Sequence, residues 1–116
     1  MKDFLRSFVF AWIGILNVLK ERNFRIHLLI LSAVISMGFY FQITATEWIV
    51  ILVISAVVLA LEMVNSSIER LCDLYTTDRH KEIAKIKDIA AGAVLVAAFF
   101  AAVTGSIIFY KYLFIS

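Results

Sequence analysis

Wound at about 100° per residue, the segment Leu61 to Asp73 (LEMVNSSIERLCD) brings Asn65, Ser66, Glu69 and Asp73 within roughly 60° either side of Glu62. One helix face thus carries carboxylates, an amide and a hydroxyl at the end of a long apolar run. Acidic groups beside hydrocarbon are costly and persist where they face a bundle interior, a wet cavity, a metal or a substrate. Glu62 has no Lys or Arg four residues away on either side, so no neighbour on its own helix neutralises it. A carboxylate in that position reads as functional.

Two other segments carry complementary groups. Glu21 to Arg25 (ERNFR) precedes the first apolar stretch, and Asp78 to Asp88 precedes the last. Together the three segments offer hard oxygens for a divalent cation and cations for an anion. That combination suits phosphoryl transfer, which asks the protein mainly for positioning and charge neutralisation. Glu21 and Glu69 fit Mg²⁺, while Arg79 and Lys87 suit phosphates. Taken by itself, the Asp78 to Lys87 charge run also reads as a solvated loop. His27 and His80 stand alone, as hydrogen-bonded structural histidines do. No zinc-type spacing occurs, and neither GxxxxGK[ST] nor GxGxxG is present, so any nucleotide must be held without those loops.

The elements that position these groups are membrane helices. Of the 116 residues, 63% are hydrophobic, above the roughly 45–50% of soluble domains. There is no Pro, and no linker, repeat or low-complexity tract, so a single domain over residues 1–116 is expected. Ile26 to Ile43 is one crossing. Trp48 to Leu61 is too short to cross roughly 30 Å of hydrocarbon, so the second crossing must extend past Glu62. The third runs from about Ile89 to Tyr110, and its Ala93, Ala97, Ala101 and Gly105 recur every four residues, a pattern that lets helices approach closely in lipid. The sole Cys72 cannot form an intrachain disulfide and reads as a structural thiol. A net charge of +2 is too small to argue for nucleic acid.

Basic residues gather in the first twenty-five positions and between 70 and 87, and are missing from the Gln42 to Glu47 turn. By the positive-inside rule the N-terminus and the 70–88 loop are cytoplasmic and the C-terminus is outside, with Lys111 as an exception. Met1 to Leu19 has no signal-peptide cleavage site. Its Lys2, Asp3, Arg6, Asn17 and Lys20 share one side, which predicts an amphipathic helix on the membrane surface with Phe4, Phe8 and Trp12 dipping into lipid. A fourth crossing is the competing reading.

ERNFRIHL (Glu21 to Leu28), LALEMVNSSIE (Leu59 to Glu69) and AKIKDIAAGAVLVAA (Ala84 to Ala98) resemble the prokaryotic diacylglycerol kinase family, including its undecaprenol kinase branch, in order and spacing over nearly the whole chain. The resemblance implies an all-α integral membrane enzyme of the bacterial inner membrane, with three transmembrane helices and an N-terminal surface helix. It further implies a homotrimer whose sites are shared at the cytoplasmic face, with ATP and Mg²⁺. Carried over by position, Glu62 is the catalytic base on the lipid hydroxyl, and Glu21 and Glu69 bind the metal. Asn65, Glu69, Asp73, Lys87 and Asp88 surround the nucleotide and its phosphates, Asp78, Arg79 and His80 lie where a loop touches ATP, and Phe10 stands against the base. The family's N-terminal basic contact falls near Asp3, leaving Lys2 or Arg6 in its place.

The expected activity is phosphorylation of a membrane lipid alcohol, undecaprenol ahead of diacylglycerol, with a lateral groove between spans one and three for the chain. The alternative is a non-enzymatic helical assembly subunit or small channel. Against a pore stands the one-sided gathering of Glu21, Glu62, Glu69, Asp73, Lys87 and Asp88, because a pore needs polar residues along its depth.

Overall fold

With no proline to remove a donor or clash with a preceding turn, helices in this chain run until capping or loop chemistry ends them. The computed structural model describes residues 1–115, leaving Ser116, the last residue of the expected domain, outside the description. The described chain forms four helices and no strand: α1 (Lys2–Val18), α2 (Arg22–Phe41), α3 (Ala45–Tyr75) and α4 (Lys81–Phe114). Three of these, α2, α3 and α4, are long and apolar enough to cross a membrane. Helix α1 is outside that set. It buries only Val18, and its Phe4, Phe8 and Trp12 are more than half exposed.

The α2–α3 turn is tighter than the Gln42 to Glu47 segment expected. Gln42 sits in the left-handed region at φ 52°, and the Ile43 and Gln42 amides return to the Gly38 and Phe39 carbonyls, closing α2 in a Schellman motif. Thr44 then opens α3 with a capping box. Its hydroxyl accepts from the Glu47 amide, and the Glu47 carboxylate accepts from the Thr44 amide at 3.0 Å. A glycine is needed at position 38, since a Cβ there would lie 2.6 Å from the Trp48 ring.

Helix α3 is 31 residues long, about 46 Å, so it must protrude from a hydrocarbon layer of roughly 30 Å. Helix α4 packs chiefly against it. At one end of the bundle Ile43, Ile51, Ile108 and Phe109 form the buried core, with Trp48 and Tyr112 packed against it. The same end holds Lys111, whose Nζ lies 2.7 Å from Glu47. Tyr112 donates its hydroxyl to that carboxylate at 2.6 Å. A lone basic residue against the charge rule thereby acquires a local partner.

Two expectations are corrected here. Residues 70–88 do not form one loop: 70–75 complete α3 and 81–88 begin α4, leaving Thr76 to His80 as the connection. Charge marks where a chain meets water but does not break a helix, and this stretch has neither Gly nor Pro. The small-residue stripe is also not a continuous packing seam within the chain. Ala97 is buried, yet Ala93 is exposed, and a Cβ on Gly105 would meet nothing within 4 Å. Ala101 and Gly105 instead line an apolar groove of about 490 Å³ between α2, α3 and α4, with Ile30, Val34, Ile54 and Val58 among its other walls.

Candidate active site

The polar face of α3 lies at the bundle end opposite the Ile43 core. Glu62 stands about 22 Å along the axis from Glu47. It is only 4% exposed, and Asn65 and Ser66 are buried beside it. A titratable neighbour comes from α2, where His27 Nε2 lies 3.7 Å from Glu62 Oε2. His27 also lines the apolar groove, so the groove has its polar end beside the Glu62 carboxylate. Glu21 and Glu69 lie within coulombic range of Glu62.

Around this carboxylate the side chains divide into three small sets. Asn65 Nδ2 donates to Glu69 Oε1 at 3.3 Å, which leaves the buried Asn65 Oδ1 without a hydrogen-bond partner among the described residues. Glu21 precedes α2 in the N-cap position but does not cap it with its side chain. Its carboxylate reaches across to α3, accepting from Arg70 Nη2 at 2.9 Å through one oxygen and from the Ser66 hydroxyl through the other. Further along, Lys87 of α4 lies 2.7 Å from Asp73 of α3.

The structure therefore brings Glu21, Glu62, Asn65 and Glu69 into one neighbourhood, with the Asp73–Lys87 pair a turn beyond. Phe10, Asp78, Arg79 and Asp88 have no side-chain hydrogen bond or ion pair with that set among the described residues. Phe10 is 67% exposed on α1. His80 caps α4, its Nδ1 accepting from the Ile83 amide at 3.4 Å, and sets its ring edge-on to Tyr75. Sequence reasoning missed three neighbours. His27 reads as a lone structural histidine, Ser66 as part of the stripe only, and Arg70 as one topogenic charge among several. For Arg70 a signal was available, because it follows Ser66 by four residues and flanks the acidic stripe.

Cys72 is buried and free, as expected of a packing thiol.

Three helices long and apolar enough to cross a membrane, with a buried carboxylate on one of them beside an apolar groove, describe a membrane protein. The family model for prokaryotic diacylglycerol kinase matches residues 9–109. The chain is 40% identical to undecaprenol kinase of Bacillus subtilis over 111 residues, 94% of this chain and 89% of that one. It is 39% identical to diacylglycerol kinase of Synechocystis sp. over 105 residues, 89% of this chain and 60% of that one. The chain belongs to the prokaryotic diacylglycerol kinase family, and with it to the lipid kinases.

Proposed function

We propose that this protein transfers the γ-phosphoryl group of ATP to the primary hydroxyl of a membrane lipid alcohol, with Glu62 as the general base. The observation that carries the reading is a nearly fully buried carboxylate at the polar end of an apolar groove, with hard-oxygen and cationic side chains around it. A lipid chain along the groove would set its hydroxyl beside Glu62. Glu62 accepts the hydroxyl proton as the alcohol oxygen bonds to the γ-phosphorus, and the bond to the ADP oxygen breaks. Lys87, released from Asp73, offsets charge on the phosphates.

Mg²⁺ belongs to the same proposal. Among the described residues no three His, Cys, Asp or Glu side chains gather tightly enough to hold an ion. A phosphoryl-transfer Mg²⁺ needs only one or two carboxylates, since substrate phosphates and water supply the rest. Glu69 and Glu21 meet that need, and the orphaned Asn65 Oδ1 supplies one more hard oxygen nearby. Held by Glu21 and Glu69, the ion would supply neutralisation of phosphate charge.

The same reading assigns Asn65, Glu69, Asp73, Lys87 and Asp88 to the nucleotide and its phosphates. Asp78, Arg79 and His80 serve as a loop contact and Phe10 as an aromatic against the base. It places α1 on the inner membrane surface, the N-terminus in a bacterial cytoplasm, and one kinase domain over 1–116 in a homotrimer. Undecaprenol is the favoured acceptor, supported by the ERNFRIH and ALEMVN segments and by the likeness to the Bacillus subtilis enzyme across 89% of its length. The Synechocystis relative supports diacylglycerol as the second acceptor. Purified protein given ATP, Mg²⁺ and the two lipids side by side tests this: faster phosphorylation of undecaprenol is expected, and equal rates would remove the preference.

A further inference from the structure

We propose that Arg70, paired with Glu21, is a phosphate-contacting residue of the nucleotide site and passes to the nucleotide when a divalent ion takes the Glu21 carboxylate. The inference rests on the lipid-kinase reading above and extends it to a residue outside the assigned site.

Arg70 follows Glu69 directly and stands four residues beyond Ser66, on the flank of the α3 stripe that faces the α1–α2 junction. Its guanidinium and the Ser66 hydroxyl take the two oxygens of the same carboxylate. Glu21 is thereby drawn off its own helix start and onto α3. The pair borders a cleft of about 250 Å³ between α1 and α3, lined by Asn17, Glu21, Ser66, Ser67 and Arg70 among others. The cleft also has apolar walls from Val18, Met63 and Val64, but its Glu21 and Arg70 rim, with Asn17, Ser66 and Ser67, offers the groups that part of a polyphosphate needs.

Charge accounting favours an exchange of partners. Two cations beside the site are paired, Arg70 with Glu21 and Lys87 with Asp73. A divalent ion on Glu21 competes with Arg70 for the same oxygens. An incoming triphosphate supplies replacement oxygens in a geometry that guanidinium binds through two parallel hydrogen bonds. The Arg70 side chain is 59% exposed, so swinging from carboxylate to phosphate requires no repacking. In this scheme Arg70 also guards Glu21 against metal binding before the nucleotide arrives.

The test uses the full chain in lipid nanodiscs and two binding measurements: a non-hydrolysable ATP analogue with Mg²⁺, and Mn²⁺ alone followed by paramagnetic resonance. Arg70→Gln should weaken analogue binding about tenfold or more, the usual scale of a lost charge-assisted hydrogen bond. Arg70→Lys should fall between Gln and wild type. Mn²⁺ alone should bind Arg70→Gln more tightly than wild type, and adding Glu21→Gln should remove that gain. A purely structural Arg70 would lower the melting temperature and leave both affinities unmoved, which would overturn the proposal. Undiminished analogue binding by Arg70→Gln overturns this inference alone, whereas no analogue binding by wild type overturns the kinase reading with it.

Discussion

His27 of α2 places its Nε2 3.7 Å from the buried carboxylate of Glu62 on α3, so the two helices meet at the residue proposed to take the proton. At that distance the histidine makes no hydrogen bond to the carboxylate but packs beside it, so its loss changes the space and the electrostatics around the proposed base. Replacing His27 by Leu is expected to lower kcat roughly ten- to hundredfold, as a displaced catalytic group does. KM for MgATP should change little. Steady-state kinetics with each substrate varied in turn would show the split, and an unchanged kcat would detach His27 from Glu62.

Gly38 offers a test of packing in which two physical effects oppose each other. Helix propensity alone favours Ala over Gly by about 1 kcal/mol. At position 38 the added Cβ would sit 2.6 Å from Trp48, and overpacking of that kind costs about 1–3 kcal/mol. Gly38→Ala should therefore melt at lower temperature than wild type. Gly92→Ala, where a Cβ meets nothing within 4 Å, should melt at the same temperature or higher. Thermal unfolding of both variants in one detergent decides the sign.

Glu47 ties the start of α3 to the end of α4 through Lys111, Tyr112 and its own capping box. Glu47→Ala should reduce thermal stability by several degrees. Turnover should persist below the transition, since the proposed base lies about 22 Å away along α3. Melting curves alongside activity at low temperature check both halves.

Much of the proposed site was legible because the helical period alone gathers Glu62, Asn65, Ser66, Glu69 and Asp73 on one face of α3, and the structure confirms that helix as continuous. Span existence was legible for a similar reason, as apolar length against bilayer thickness needs no tertiary information. Element ends were not. Residues 70–75 and 81–88 carry charge, and charge reports water rather than helix termination. Contacts between distant positions left no local trace: Glu47 with Lys111, Glu21 with Arg70, and His27 with Glu62 each join separate helices. The demand for glycine at 38 comes from Trp48 folding back across the turn, which a lone Gly in an apolar run does not announce.

Metal dependence should respond to Glu69 more directly than to any residue beyond the site. Glu69→Gln is expected to raise the Mg²⁺ concentration for half-maximal activity by roughly ten- to hundredfold. Glu21→Gln should act in the same direction, and chelation should abolish turnover in wild type. Titrating Mg²⁺ at fixed ATP measures this, and an unshifted curve for both variants would place the ion elsewhere.

Glu62 is the group proposed to remove the proton from the acceptor alcohol. The most direct measurement is phosphate transfer to undecaprenol by Glu62→Gln, paired with binding of a non-hydrolysable ATP analogue to the same preparation. Transfer should fall by about a hundredfold or more, the scale of a lost general base, while the analogue still binds. Near-wild-type transfer by that variant would exclude Glu62 as the base.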